Sequence, residues 1–165
     1  MKSLLIRNVV LNGKPADILV RGNRISRIGR NLEDKAGRTI DGRGMTALPP
    51  LINGHTHAAM TLLRGYADDM GLMEWLQTKI WPFEGRLTKD DVLAGSRLAC
   101  LEMIKSGATF FNDMYWHWHA TAEAVEEMGL RALLSPVFID GGDEARGETN
   151  RRMVEEIHGG LDGYS

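Results

Sequence analysis

Cysteine is almost absent from this chain of 165 residues, which contains only Cys100. A single cysteine cannot form a disulfide within the chain. Because Leu98, Ala99 and Leu101 surround it, we expect a small buried hydrophobic side chain rather than a reactive thiol. The composition therefore argues against a disulfide scaffold and against thiol catalysis.

Long apolar runs and an excess of one charge are missing as well. The first apolar run ends at Ile6, short of the roughly 7–15 residues of a secretory signal. No stretch approaches the roughly 18 apolar residues of a transmembrane helix, so we expect a cytoplasmic protein without a membrane partner. Twenty Lys and Arg against 22 Asp and Glu give a net charge of -2. This balance disfavours nucleic acid as a partner and favours a small neutral or polar substrate.

His55 and His57 form the most informative pattern in the chain. They follow the apolar run 47–53 and the glycine Gly54. Since residues i and i+2 of a strand point the same way, both imidazoles are predicted to project from a strand end toward one point. Imidazole nitrogen suits zinc, nickel, iron or copper, but two ligands leave a tetrahedral ion half coordinated. The pattern thus predicts part of a metal site whose other ligands lie elsewhere.

Two parts are predicted along the chain. Residues 1–46 contain short β-rich runs and turn signals at 12–13, 21–24 and 41–44, which indicate a small all-β module. Residues 47–165 alternate strand, loop and helix. The predicted elements are a strand at 47–53, a helix from Thr88 to Gly107, a strand at 108–114, a helix at 120–128, a strand at 130–139 and a helix at 148–158.

Three strand–helix units in series predict a parallel sheet with right-handed crossovers. The strand at 108–114 is apolar enough to be buried on both faces. A complete (β/α)8 barrel needs about 250 residues, and a fourth strand would begin only near 161–165. An incomplete barrel leaves apolar faces uncovered, and these predict association with a second copy or with a missing C-terminal portion. The side chains expected to be partly exposed are Phe110, Phe111, Val137 and Phe138.

The segment from Leu48 to Gly65, which contains both histidines, resembles the metal-dependent amidohydrolase superfamily. Matches at 74–76, 81–84 and 111–115 are similar to its aminohydrolase branch, which includes chlorohydrolase-like enzymes and methylthioadenosine/S-adenosylhomocysteine deaminases. The resemblance implies an α/β fold: the N-terminal part of a (β/α)8 TIM-type barrel, with about three βα units, plus part of a small β-sandwich. Residues 1–46 would belong to the sandwich and residues 47–165 to the barrel.

The resemblance also implies roles for single residues. His55 and His57 would be the first two ligands of one divalent ion, in the first place zinc, with iron, nickel or manganese as alternatives. Glu84 would accept hydrogen bonds from substrate hydroxyls, and Trp81 and His117 are further candidates for substrate binding. A solvated charge for Glu84 and a packing role for Trp81 remain alternatives. The later metal ligands and the catalytic carboxylate are expected beyond Ser165, so no catalytic residue is assigned within this sequence.

Two other polar residues leave alternatives open. Asp113 stands at the carboxyl end of a strand, where barrel active sites lie, but it could equally accept structural hydrogen bonds from a neighbouring loop. His117 and His119 have the same spacing as the first histidine pair and could also bind a metal. Trp116 and Trp118 instead favour a loop that leads into the next helix.

The reaction implied by the resemblance is hydrolytic deamination of an N-heteroaromatic amine. Adenosine-type thioethers such as methylthioadenosine or S-adenosylhomocysteine come first, with triazine-like or guanine-like rings as alternatives. Pro136 stands where some of these deaminases carry an arginine, which weakens the case for a substrate with a carboxylate. The rival hypothesis is a truncated, non-catalytic fragment, because the later ligands are not in this sequence.

Overall fold

The computed structural model describes residues 3–159, which fall into two compact units that divide between Pro49 and Pro50. The assignment of domains to 1–46 and 47–165 stays a prediction. The fourth strand expected near 161–165 lies outside the described residues. Ser165, beyond which we expect the catalytic carboxylate and the later ligands, also lies outside them, so that expectation stays a prediction. Among the described residues, none of the helices has both the length and the apolarity needed to cross a bilayer.

The first unit is a five-stranded sheet. Its strands are β1 (Ser3–Leu11), β2 (Lys14–Arg21), β3 (Arg24–Gly29), β4 (Arg38–Asp41) and β5 (Thr46–Ala47). The strand order is β3-β2-β1-β4, and β5 also pairs with β1. The hairpin turns predicted after β1 and β2 are confirmed, with positive φ at Asn12, Gly13 and Gly22, as two-residue hairpins require.

The second unit is a parallel sheet covered by helices. Its strands are β6 (Leu51–Thr56), β7 (Ala108–Met114) and β8 (Arg131–Ser135), in the order β6-β7-β8. Its helical elements are a 3-10 helix (Ala58–Leu63), α1 (Leu72–Trp75), a π-helical turn (Leu76–Ile80), α2 (Trp81–Glu84), α3 (Lys89–Ser106), α4 (Trp118–Met128) and α5 (Glu144–Gly159). The predicted parallel sheet and the mixed α/β character are confirmed.

Local signals in the sequence set the limits of α3. Thr88 and Asp91 form the predicted capping box, in which each side chain accepts the other residue's backbone N–H. Gly107 ends the helix with φ +84°, a left-handed conformation that glycine adopts without strain. Cys100, on the buried face of α3, is fully buried, and burial raises its pKa to about 11. The thiol is therefore protonated at neutral pH, as expected for a core residue.

Several predicted boundaries are wrong by a few residues. β6 spans Leu51–Thr56 rather than 47–53, and α4 begins at Trp118, two residues early. β8 ends at Ser135 rather than at 139, because Pro136 has no N–H to continue the ladder. α5 begins at Glu144 rather than at 148, since the Asp143 carboxylate accepts the first free backbone N–H groups of the helix.

Burial of the sheet also differs from expectation. Burial of β7 on both faces is wrong, because Met114 is exposed while Phe111 is fully buried among residues of α3 and α4. The expected partial exposure is wrong for Phe111 and Val137, which are buried, and is confirmed for Phe110, which is half-buried, and for Phe138, at 47% exposure. Phe111 is buried because it packs against residues of α3 and α4.

Candidate metal and substrate site

His55 and His57 lie at the carboxyl end of β6. Asn53 and Thr56 are three residues apart, but their partners on β7 are only two residues apart. β6 therefore carries an extra residue here, which is a β-bulge, a feature often found beside active sites. His55 lies inside the bulge and His57 just after the strand, so the strand is not regular here. The two rings still lie close together, as predicted: they meet edge to face, with centroids 5.1 Å apart.

The ring of His57 is oriented by a backbone carbonyl. Its Nδ1 lies 2.7 Å from the carbonyl O of Met114. Because a carbonyl can only accept, Nδ1 carries a proton, and in the neutral ring Nε2 keeps its lone pair. Metal-binding histidines usually have such an outer hydrogen bond, which fixes the tautomer and the ring. His57 thus fits the role of a metal ligand.

The histidine pair supplies part of a coordination shell. Within residues 3–159, no three His, Cys, Asp or Glu side chains are grouped as metal ligands. A structural or catalytic zinc ion needs at least three protein ligands. A complete site therefore requires donors from outside the described residues, which is consistent with later ligands beyond Ser165 but does not test their position.

Asp113 holds the chain on both sides of His57. Its side chain is 2% exposed, and its Oδ1 accepts hydrogen bonds from Thr56 Oγ1 at 2.9 Å and from the Ala58 N–H at 2.7 Å. Burial raises the pKa of Asp113, although these two hydrogen bonds oppose the shift. Of the two alternatives for Asp113, the structural hydrogen bonds to the neighbouring loop are confirmed.

We expect Asp113→Ala to lower the metal affinity of the full-length protein by about tenfold to a hundredfold, as outer-shell substitutions typically do. The alanine removes both hydrogen bonds that fix the loop around His57. Asp113→Asn should retain most of the affinity, because both bonds end on one oxygen that an amide can supply. Competition with a chelator measures the affinity. Equal losses in both variants would show that the charge of Asp113, not the hydrogen bonds, is what matters.

A helical segment brings Trp81 and Glu84 to the same cavity as His57. α1, the π-helical turn and α2 follow one another without a break, and Pro82 stands at the start of α2. Proline cannot donate a regular helical hydrogen bond, which accounts for the irregular turn before it. His57, Trp81 and Glu84 line one cavity of about 280 Å³, with Tyr115 also in its wall.

Trp81 and Glu84 also line a second cavity, of about 620 Å³, together with Trp116 and His117. The indole Nε1 of Trp116 donates a hydrogen bond to Glu84 Oε2 at 3.0 Å. The ring Nε2 of His117 donates to the Leu87 carbonyl at 3.2 Å, which leaves Nδ1 as the acceptor in the neutral ring. The structure thus brings Glu84, Trp81 and His117 to one cavity wall.

Residues 46–164 match the amidohydrolase family, which is more than half of the chain. The chain belongs to the amidohydrolase family. The predicted superfamily is thereby confirmed.

Curated relatives are similar over the same region. The chain is 54% identical over 142 residues to a 5'-deoxyadenosine deaminase of Methanothrix thermoacetophila. The matched region covers 83% of this chain and 34% of the relative. It is 49% identical over 156 residues to a 5-methylthioadenosine/S-adenosylhomocysteine deaminase of Pelotomaculum thermopropionicum, covering 91% and 36%. The chain therefore spans about a third of the length of these relatives.

A solved structure of this amidohydrolase type contains zinc. It is an adenosine deaminase from Xanthomonas campestris with bound zinc, 30% identical, with a TM-score of 0.82 over 98% of this chain and 40% of that one. This likeness supports a divalent metal for the amidohydrolase site. The individual ligands and substrate contacts in this chain stay predictions.

Three groups of this amidohydrolase site are not among the site residues predicted from the sequence. The Met114 carbonyl that orients His57 is a backbone group, so no residue type marks it. The hydroxyl of Tyr115 and the indole of Trp116 were overlooked, although aromatic residues directly after a strand of a parallel sheet point to a binding edge. Their position at the carboxyl end of β7 was the signal that could have found them.

Proposed function

We propose that the full-length protein is a zinc-dependent amidohydrolase that deaminates adenosine-type nucleosides by hydrolysis. The observation that carries the proposal is the cavity shared by His57 and Glu84, with His57 Nε2 left available by the Met114 carbonyl. The names and identities of the curated relatives support the same reaction. In this proposal the chain forms the N-terminal part of a (β/α)8 barrel with about three βα units, plus part of a small β-sandwich.

In the proposed site, His55 and His57 bind one side of the metal ion, and Asp113 holds the backbone around His57 in place. When bound, the ion supplies Lewis-acid activation of water at neutral pH. The Met114 carbonyl accepts the His57 Nδ1–H, so Nε2 is the ligand atom of the neutral ring. The proton transfer to the leaving amine requires a carboxylate from the remainder of the protein.

The substrate end of the proposed site is formed by Glu84 and aromatic side chains. The carboxylate of Glu84 accepts hydrogen bonds from the ribosyl hydroxyls, while Trp81 and His117 line the space for the rest of the nucleoside. A cavity of about 620 Å³ lies within the range of small-molecule sites, about 300–1,000 Å³. Because Pro136 carries no charge, we favour a substrate without a carboxylate, such as 5'-deoxyadenosine.

The experiment that tests this function is an ammonia-release assay on the full-length protein, with its metal content measured on the same sample. We expect zinc in stoichiometric amount and release of ammonia from 5'-deoxyadenosine and methylthioadenosine. Triazine and guanine serve as alternative substrates. A protein that binds no metal and releases no ammonia from any purine would contradict the proposal.

The rival, a non-catalytic fragment, is distinguished by the intact mass of the protein purified from its source. A mass near 18.4 kDa would favour the fragment. Such a protein would offer a metal ion only the two imidazoles of His55 and His57, and water would fill the other half of the coordination shell. The predicted association with a second copy or a C-terminal portion depends on apolar side chains that stay accessible, of which Phe138, at 47% exposure, is the clearest among those named above. That association and the cytoplasmic location stay predictions.

A further inference from the structure

The segment from Met114 to Trp116, which begins at the last residue of β7, contacts both ends of the site. Its first residue accepts the hydrogen bond from His57 Nδ1 at 2.7 Å. Its last residue donates from the indole Nε1 to Glu84 Oε2 at 3.0 Å. The contact to the metal end and the contact to the substrate end therefore lie only two positions apart along the chain.

Tyr115, in the middle of this segment, is buried in the wall of a cavity that Glu84 also lines. Its side chain is 3% exposed, and its ring centroid lies 6.3 Å from that of His57. The hydroxyl has no hydrogen bond of normal geometry among the described residues. The hydroxyl is thus a buried donor in the wall that also holds Glu84, and such a group normally has a partner.

The segment is fixed to the sheet on both sides. The N–H of Tyr115 donates to the Ser135 carbonyl at the end of β8, at 3.3 Å. Asp113, just before the segment, accepts two hydrogen bonds from the chain around His57. Glu84, by contrast, ends the short helix α2 and is followed by the turn at Gly85. The segment that carries Trp116 is therefore tied to β6 and β8, whereas Glu84 ends a helix of four residues, so Trp116 can orient the carboxylate from the sheet side.

We propose that Trp116 and Tyr115 are positioning residues that fix the Glu84 carboxylate for the two hydroxyls of a ribosyl substrate. This inference rests on the proposed function, since it requires a nucleoside at Glu84. Trp116 Nε1 donates to Oε2, and the unpartnered Tyr115 hydroxyl, in the wall of the cavity that Glu84 also lines, is available as a second donor to the carboxylate. The carboxylate then meets its substrate in one orientation, which lowers the entropy lost on binding.

The test compares adenosine with 2',3'-dideoxyadenosine, which lacks both ribosyl hydroxyls, in the full-length protein. Trp116→Phe keeps an aromatic ring but removes the N–H donor. We expect it to raise KM for adenosine by about tenfold with little change in kcat, the size expected for one hydrogen bond to a charged group. KM for the dideoxy compound should not change. Tyr115→Phe should act in the same direction.

Tyr66→Phe is the matched control, because it removes a hydroxyl from a half-exposed ring that lines neither cavity. Trp116→His, which retains a ring N–H, should recover part of the affinity for adenosine. A structural role for Trp116 would raise KM for both nucleosides or lower the melting temperature, and that result would overturn the inference. Unchanged KM values for both nucleosides would overturn it as well.

Calorimetry separates this inference from the proposed function. If the wild-type protein releases no ammonia, the proposed function fails, but binding of both nucleosides can still be measured. Trp116→Phe must then weaken binding of adenosine alone. Equal weakening, or a wild-type protein that binds neither nucleoside, would contradict the positioning role.

Discussion

Replacing His57 by alanine in the full-length protein is expected to remove most of the bound metal and to lower kcat by about a thousandfold or more. His57 offers Nε2 as a ligand because the Met114 carbonyl holds the proton on Nδ1. No other side chain in the described part of the chain completes a group of three metal ligands with His55. Elemental analysis of the purified variant measures the metal, and ammonia release measures the rate.

His119→Ala is the matched control for this prediction, since it removes the same ring from the alternative histidine pair. His119 lies in the first turn of α4, stacked on Trp118 with ring centroids 3.6 Å apart. The control should keep both metal and activity. A His57→Ala protein that retained stoichiometric zinc would show that the ion is held elsewhere, and loss of zinc in His119→Ala would favour the second pair.

The elements of this fold follow from local signals that the sequence displays. The capping box at Thr88 and the glycine at 107 delimit α3 within a few neighbouring residues, and Asn12-Gly13 specifies its hairpin in the same way. Strands and helices alternate along the chain, and right-handed connections between neighbouring strands then predict a parallel sheet. These features were predictable because each depends on residues close together in the chain.

The geometry of the site was less predictable because it depends on pairing between distant segments. The bulge at His55 exists only in register with β7, so a regular i, i+2 pattern could not reveal it. The hydrogen bond from Trp116 to Glu84 joins residues 32 positions apart. The place of Asp113 at a strand end limited its predicted role to two alternatives, an active-site residue or an acceptor of structural hydrogen bonds. Only the structure shows that Thr56 Oγ1 and the Ala58 N–H donate hydrogen bonds to it, which decides for the second.

Replacing Glu84 by alanine is expected to change substrate selectivity rather than to abolish the chemistry. In the proposed site its carboxylate accepts hydrogen bonds from two ribosyl hydroxyls, and each bond to a charged acceptor is worth about 1.5–3 kcal/mol. We therefore expect kcat/KM for adenosine to fall by about a hundredfold or more. For 2',3'-dideoxyadenosine, which cannot make these bonds, kcat/KM should hardly change.

Glu74→Ala is the control that separates this effect from a general loss of negative charge. Glu74 lies in α1, in the same helical segment, and lines neither cavity that contains Glu84. Its removal should leave the ratio of the two nucleosides unchanged. The indole N–H of Trp116 loses its acceptor in Glu84→Ala, so Trp116→Phe added to that variant should have little further effect. If Glu84→Ala lowered kcat/KM equally for both nucleosides, Glu84 would be a structural residue, and the substrate end of the site would lie elsewhere.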